Sequence, residues 1–112
     1  MSMQSISILT LTALAAGAIA KHRFVTHTGL QAGAAANTLG VARTDAKLND
    51  GLAVDVVGTA VVEAGAAIVA GAAIETDATG RAITKAAGVT VGRALQAAAA
   101  AGDFIEVLLI QN

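Results

Sequence analysis

Two histidines are the residues of this chain best suited to acid–base or metal chemistry, and they stand close together. His22 and His27 lie five positions apart in a stretch that also holds Phe, Val and Thr, which predicts a strand over residues 22–28. Side chains alternate between the two faces of a strand, so an odd spacing directs the two rings to opposite faces. We therefore expect no shared metal ion, and a surface or packing role for each ring.

Four charged residues between positions 45 and 55 form a second candidate. Asp45, Lys47, Asp50 and Asp55 crowd one predicted loop, and carboxylates are good ligands for calcium. Their spacing lacks the glycine and the terminal glutamate that a calcium loop requires, so the pattern indicates a solvated turn. Without clustered ligands, we expect neither a metal site nor a cofactor.

The sequence shows no set of nucleophile, base and orienting residue, and its glycine-rich segments do not match phosphate-binding loops. Gly65-Ala66-Ala67 and Gly71-Ala72-Ala73 lack the Lys-Ser or Lys-Thr pair of such loops. The chain has no cysteine, which excludes disulfides and thiolate metal sites. These features predict that the protein is not an enzyme. They also argue against a small enzyme subunit or a ligand-binding barrel, because a pocket needs convergent polar groups.

The composition predicts one small domain with a thin core. The chain has 112 residues, of which 55% are hydrophobic, but much of that fraction is alanine and the aromatic residues are Phe24 and Phe104 alone. Large apolar side chains supply most of the free energy of burial, so we expect further burial between subunits. Seven basic and eight acidic residues are scattered along the chain, and this balance predicts no binding to nucleic acid.

One basic cluster, Lys21-His22-Arg23, comes directly before Phe24 and Val25. Alternation along a strand places Lys21, Arg23 and Val25 on one face. Two interpretations are open. The face is either a solvated strand surface or a contact with an acidic patch on a partner subunit.

The first 20 residues raise the question of a targeting signal. Residues 6–20 are apolar enough for the core of a signal peptide, and Ala18-Ile19-Ala20 matches a small-x-small cleavage site. The residues before Ile6 include no Lys or Arg, so the basic region of such a signal is missing and we expect the segment to be retained. It is also too short, and too often interrupted by Ser, Thr and Gly, to span a membrane as a helix.

The elements that hold these residues are predicted to be strands, although alanine favours helices. Gly interrupts most of the alanine runs, whereas the larger apolar side chains lie in short alternating segments rich in Ile, Val and Thr. One short helix is expected at residues 96–101, ending at Gly102. The sequence thus predicts an all-β fold, a small antiparallel β-barrel or sandwich with an extended N-terminal arm and at most one short helix. The predicted strands cover residues 5–12, 22–28, 38–43, 52–57, 59–63, 73–76, 81–84, 90–95 and 104–110.

Turn residues support this prediction. Asp77 followed by Gly80 is typical of a hairpin loop. The segment Asn49-Asp50-Gly51 predicts a second turn on the same grounds. Gly58 lies between two apolar runs, which indicates a bulge or a tight bend within one long strand.

The last quarter of the chain holds two strand-like segments around an alanine run, Gly88 to Leu95 and Gly102 to Ile110. This pattern resembles the closing hairpin of small head-decoration proteins of tailed bacteriophages, also called capsid cement proteins. Further motifs extend the resemblance over nearly the whole chain, in the same order and spacing. One departure is Ala72, where such proteins often carry Asp. The matching segments are Ile6 to Thr12, Ala16 to Val25, Leu39 to Ala42, Gly51 to Gly65 and Ala70 to Ile83.

The resemblance implies a structural protein that binds the outer surface of the expanded phage head and stabilises it, without a cofactor and without contact to nucleic acid or membrane. Its implied partners are the major capsid protein and further copies of the chain, in a trimer or, as second choice, a dimer. We divide the chain into an N-terminal strand or arm, residues 1–20, and a β-rich decoration domain, residues 21–112. The residues expected to contact the capsid or another subunit are Ile6, Ile8, Leu9, Leu11, Lys21, Arg23 and Phe24.

A protein of a different class shares many of these features. A self-assembling secreted or surface β-protein, such as a fibre or envelope component, has the same bias toward Ala, Gly, Thr and Val and the same lack of chemistry. Removal of residues 1–20 from the native protein would favour this alternative.

Overall fold

A computed structural model describes residues 5–112 of the chain, and this part contains strands and turns but no helix. The predicted all-β class is confirmed. Most of the predicted strands are present, some of them shorter than expected. The strands are β1 (Ser7–Leu14), β2 (Phe24–Val25), β3 (Gly40–Ala42), β4 (Gly51–Glu63), β5 (Ala73–Thr76), β6 (Ala82–Thr84), β7 (Gly92–Ala94) and β8 (Phe104–Leu109).

The strands form one antiparallel sheet that is nearly closed into a barrel. Its order is β2-β3-β4-β8-β7-β5-β6, and β1 pairs with β4 outside this path. The two ends of the path meet where the Phe24 N–H of β2 donates to the Gly80 carbonyl, just before β6, at 2.8 Å. The Gly65 N–H, just after β4, donates to the Ala82 carbonyl of β6 at 2.8 Å. Of the two predicted architectures, the barrel is the one observed.

Strand β4 supplies side chains to both parts of the core. Its inward positions alternate, as expected for a strand with one buried face. Leu52 and Val54 pack in one cluster of buried residues, while Ala60 and Val62 pack in the other. Much of the second cluster is alanine, as the composition indicated.

Gly58 separates the two halves of β4. Its φ is +111°, and a Cβ at this position would lie 2.2 Å from the Ile6 carbonyl oxygen. The register between β1 and β4 shifts on both sides of Leu9, next to the pair formed by Ser7 and Gly58. The predicted irregularity within one long strand is confirmed, and the two strands expected on either side of Gly58 are a single strand.

The predicted hairpin turn after β5 is confirmed. The Asp77 carboxylate accepts hydrogen bonds from the backbone N–H of Thr79 and of Arg81, each at 2.9 Å, and Gly80 has a φ of +79°. The turn before β4 is also present, but Asn49, with a φ of +70°, adopts the left-handed conformation there. Asn tolerates this conformation better than most residues do.

The helix expected at residues 96–101 is absent, so that prediction is wrong. Ala98 instead exchanges two backbone hydrogen bonds with Ile68, at 2.9 and 3.0 Å, and the Asp103 carboxylate accepts from the N–H of Ala99 and Ala100. The Ile68 carbonyl and the Asp103 carboxylate already accept the hydrogen bonds of these three N–H groups. The helical preference of alanine therefore does not decide the conformation of this segment.

We predict that Gly58→Ala destabilises the protein more than Gly71→Ala does. Gly71 has a φ of +89°, and a Cβ there would meet no atom of a distant residue within 4 Å, so its substitution adds only backbone strain, about 1 to 2 kcal/mol. Gly58→Ala adds the same strain and also pushes the Ile6 backbone away, for a total of about 3 kcal/mol or more. Urea unfolding measures both losses. If both variants lose the same stability, the contact between an added Cβ at position 58 and the Ile6 backbone has no energetic cost.

Candidate functional site

Strand β1 is an edge strand. Within residues 5–112 it pairs with β4 only, from Ser7 opposite Gly58 to Leu14 opposite Gly51, so its other edge has backbone donors and acceptors without a strand partner. The part of the expected N-terminal arm that the structure describes therefore belongs to the sheet. Long open edges of this kind are sites where another chain can add a strand.

The side chains of β1 and of the residue before it leave an unusual amount of apolar surface exposed. The register shift between Leu9 and Thr10 interrupts the alternation of faces, so Leu9, which lies opposite Val57, is on the other face of the sheet from Leu11. Leu11 lies opposite Val54, a core residue of β4. The Leu11 side chain is therefore on the same face of the sheet as the core, but at the edge strand, where it is exposed. Together with the open edge, these side chains form what we call the β1 surface. Its exposed apolar residues are Ile6, Ile8, Leu9, Leu11 and Leu14.

A buried carboxylate fixes β1 against the barrel. Asp55 was expected in a solvated turn, although the strand predicted over residues 52–57 also includes it. It lies within β4 and is buried, so the expected solvation is wrong. Its two oxygens accept hydrogen bonds from the Thr10 hydroxyl at 3.1 Å and the Ser5 hydroxyl at 3.3 Å, and the Arg43 Nε lies 3.6 Å away. Because a buried charge is costly to leave unpaired, these contacts hold β1 and its exposed side chains in one position.

A half-open pocket of about 170 Å³ lies beside this carboxylate and brings Ser5, His22 and Asp55 together with Arg43. These residue types suggest a catalytic triad, but their hydrogen bonds do not form one. The Ser5 hydroxyl donates to Asp55 directly, and the His22 Nδ1 lies 3.1 Å from the Val61 carbonyl oxygen. The histidine therefore does not link the hydroxyl to the carboxylate.

The two histidines are not on one strand, because β2 contains only Phe24 and Val25. The His22 ring packs against Phe104, with centroids 5.3 Å apart and the planes at 70°, while His27 is exposed. Within residues 5–112, no three His, Cys, Asp or Glu side chains are grouped as metal ligands.

Three predicted contact residues near β2 have different surroundings. Phe24 is fully buried in one core cluster, so its assignment to a partner contact is wrong. Its neighbour Val25 is buried in the other cluster, whereas Lys21 is exposed, so the expected common face of Lys21, Arg23 and Val25 is not formed. Arg23 binds Glu63 of its own chain at 3.1 Å.

Arg23 belongs to a group of charges at the closure of the barrel. Arg81 bridges the Glu63 and Asp77 carboxylates, at 3.6 and 3.0 Å, and the Arg23 guanidinium also donates to the Thr79 carbonyl at 2.9 Å. Partial burial acts to raise the pKa of Asp77. Hydrogen bonds from the backbone and side chains of Arg81 and Thr79 outweigh it, so the pKa of Asp77 is lowered below its ordinary value of 3.8. Asp77 and Arg81 are only four residues apart, but the sequence gave no sign that Glu63 and Arg23, which are distant along the chain, would join them.

Comparisons with known proteins identify the family. The model of the phage cement protein family matches residues 3–109, nearly the whole sequence, and the chain belongs to this family. The fold is similar to a crystal structure of the N base of the head fiber gp8.5 of bacteriophage phi29, with a TM-score of 0.76 and 19% identity over 91% of this chain and 93% of that one. No curated protein sequence matches the chain.

The family assignment confirms the predicted role in capsid decoration, and it does not favour the secreted or surface alternative. The protein is a structural component of the virion that belongs to the phage head. Residues 5–112 contain no helix able to cross a membrane.

We predict that Asp77→Asn lowers stability at neutral pH, and that this difference disappears in acid. The amide of Asn retains an oxygen that can accept the hydrogen bonds of the turn, but it lacks the negative charge that faces Arg81. We expect the free energy of unfolding to fall by about 1 kcal/mol. Since the pKa of Asp77 is lowered in the folded protein, the unfolded chain takes up the proton first as the pH falls. The contribution of the carboxylate is therefore complete above pH 3.8 and is lost as the pH falls through the folded-state pKa.

Urea unfolding of both proteins from pH 7 down to pH 2, in steps, measures this difference. A difference that persists unchanged at the lowest pH would mean that charge at Asp77 does not stabilise the closure of the barrel.

Proposed function

We propose that the protein binds the outer surface of the expanded head through the β1 surface, with the major capsid protein as its partner. The observation that carries this proposal is the coincidence of an open strand edge with five exposed large apolar side chains, Ile6, Ile8, Leu9, Leu11 and Leu14. An extended segment of the capsid protein that pairs with this edge gains backbone hydrogen bonds, and it covers the apolar side chains on either face.

The fixed position of β1 supports this role. Asp55 holds the strand through Thr10 and Ser5, so little conformational entropy remains to be lost when a partner strand binds. Binding to a rigid, preformed edge gives more affinity for a given contact area than binding that orders a flexible arm.

The proposed assembly is a trimer placed over local threefold positions of the head, with a dimer as second choice. An oligomer presents several β1 surfaces, which bind neighbouring capsid subunits at the same time. The overall affinity of the oligomer is therefore much higher than that of each single contact. A protein that binds only the expanded, assembled head stabilises that state by mass action. We propose that this stabilisation is its whole task and that the protein has no catalytic activity.

We predict that Ile8→Lys abolishes decoration and that Val69→Lys does not. Both side chains are 76% exposed, so both variants are expected to fold, but Val69 lies in the loop between β4 and β5, away from the β1 surface. A lysine on a strand edge opposes the addition of another strand. Ile8→Lys should weaken binding to purified, undecorated, expanded heads at least about tenfold.

Bound protein and the disruption temperature of the heads are measured together. Wild type and Val69→Lys should raise that temperature, whereas Ile8→Lys should leave it close to that of bare heads. Equal binding by the two variants would contradict the role of β1, and a wild-type protein that never binds expanded heads would contradict the whole proposal. Deleting β1 is a poorer test, because it also removes a strand partner of β4.

We further predict that attachment survives high salt. At 1 M salt, exposed charges are screened within about 3 Å, while the burial of apolar side chains is not weakened by salt. Sedimentation of decorated heads in low and high salt measures the retained protein. Release in high salt would show that exposed ion pairs, rather than the β1 surface, hold the protein on the head.

A further inference from the structure

The backbone hydrogen bonds of β4 show which of its residues bond to β1. The Ala53 carbonyl accepts from the Arg43 N–H, next to β3, at 3.0 Å, so Ala53 directs its backbone groups toward β3 and away from β1. Successive residues of a strand direct these groups to opposite sides. Leu52 and Val54 therefore bond to β1.

The register then assigns the backbone of β1. Ala13 lies opposite Leu52 and Leu11 opposite Val54, so Ala13 and Leu11 bond to β4. The Ala15 N–H, just after the strand, continues this pattern and donates to the carbonyl of the residue before β4 at 2.9 Å. The alternate residues direct their N–H and C=O groups to the open edge, and these are Thr10, Thr12 and Leu14.

The turn of residues 26–30 closes this edge at one end. The Ala16 N–H is directed to the same side as the N–H of Leu14, and it donates to the Gly29 carbonyl at 2.9 Å. Gly29 has a φ of +84°, and a Cβ there would lie 2.3 Å from the Leu14 carbonyl oxygen. The turn therefore covers this carbonyl, and a strand added to the edge has to end beside it.

The bulge closes the other end. Ser7 lies opposite Gly58 and Leu9 opposite Val57, so Ile8 has no opposite residue, and the regular spacing of the outward backbone groups is broken there. Between the bulge and the turn remains a short stretch of regular open edge, which we call the edge slot. It consists of the N–H and C=O groups of Thr10 and Thr12 and the N–H group of Leu14.

We propose that the edge slot binds a short extended segment of the major capsid protein, about five residues long, in which apolar and polar side chains alternate. This inference rests on the proposed binding of the head through the β1 surface. Leu11 and Ala13 lie on the core face of the sheet, so the side chains of the segment on that face are apolar. Exposed Thr10 and Thr12 lie on the opposite face, where polar or β-branched side chains pair well with them.

The closed ends favour a loop of the capsid protein over a second β1 strand. The β1 of another copy is held on its own β4 along eight residues, so it cannot bend away within five residues and would run into the turn at Gly29. A loop can turn away at both ends of the slot. Residues 1–4 span about 14 Å at most, whereas Thr12 is about 20 Å along the chain from Ser5, so these residues do not reach the centre of the slot.

The first test is Thr12→Pro, measured by binding to purified, undecorated, expanded heads. Proline removes the N–H at the centre of the slot and places its ring where the partner strand lies, but it is tolerated on an edge strand whose N–H faces solvent. Binding should weaken at least about tenfold. Thr12→Val changes the same side chain and keeps the N–H, so it should bind at least about tenfold more tightly than Thr12→Pro. Urea unfolding checks that both variants fold.

The second test needs no substitution. Hydrogen exchange of the wild-type protein, free and bound to heads, is followed by mass spectrometry of fragments that cover residues 7–16. In the free protein the N–H groups of the edge slot should exchange fast, while those bonded to β4 or to Gly29 are protected. Binding should slow the exchange of about three further N–H groups in these fragments. Bound protein without this added protection contradicts the inference, whatever the behaviour of Thr12→Pro.

The outcomes separate this inference from the proposed function. If the wild-type protein never binds expanded heads, both are wrong. If Ile8→Lys prevents binding while Thr12→Pro binds as tightly as wild type, the β1 surface binds the head through its side chains alone and the inference is overturned. If Thr12→Pro instead abolishes self-association of the free protein in sedimentation equilibrium, the slot binds a second copy, and the inference is overturned as well.

Discussion

The fold depends on the ability of β4 to change strand partners along its length. Its first half pairs with β1 and β3, and its second half pairs with β8. The change of partners occurs at Gly58, where a positive φ and the absence of a side chain let the backbone of Ile6 approach closely. Because the inward side chains of β4 contribute to both core clusters, this single strand joins the open edge at β1 to the barrel that supports it.

Closure of the barrel has a different physical basis from the rest of the sheet. The ends of the sheet are joined by only a few backbone hydrogen bonds around Phe24 and Gly80. The charges of Arg23, Glu63, Arg81 and Asp77 add to them. A core that is rich in alanine offers little apolar area for the same purpose, so polar contacts carry more of the stability here than they do in a barrel with large core side chains.

Much of the fold could be predicted from alternation and turn residues, since both act locally. The bounds of β5 and the turn at Asp77 follow from neighbouring residues alone. The failures have distant causes. Ala98 is extended because Ile68 bonds to it, and Asp55 is buried because Thr10 and Ser5, 45 and 50 residues earlier in the sequence, supply its hydrogen bonds.

The surfaces were predicted unevenly for the same reason. Ile6, Ile8, Leu9 and Leu11 could be named because they lie in one short apolar segment. Leu14, which is also exposed, was not named. Phe24 was misassigned because β2 contributes adjacent residues to two different core clusters, and alternation assumes that one of them faces solvent.

The irregular register of β1 has a further consequence for the open edge of the sheet. A flat, regular, apolar edge invites identical chains to stack into fibrils without limit. The register shifts on both sides of Leu9 break the regular spacing of backbone groups along this edge, so that a second β1 strand cannot pair in register along its full length. The bulge thereby opposes the stacking of identical chains at this edge.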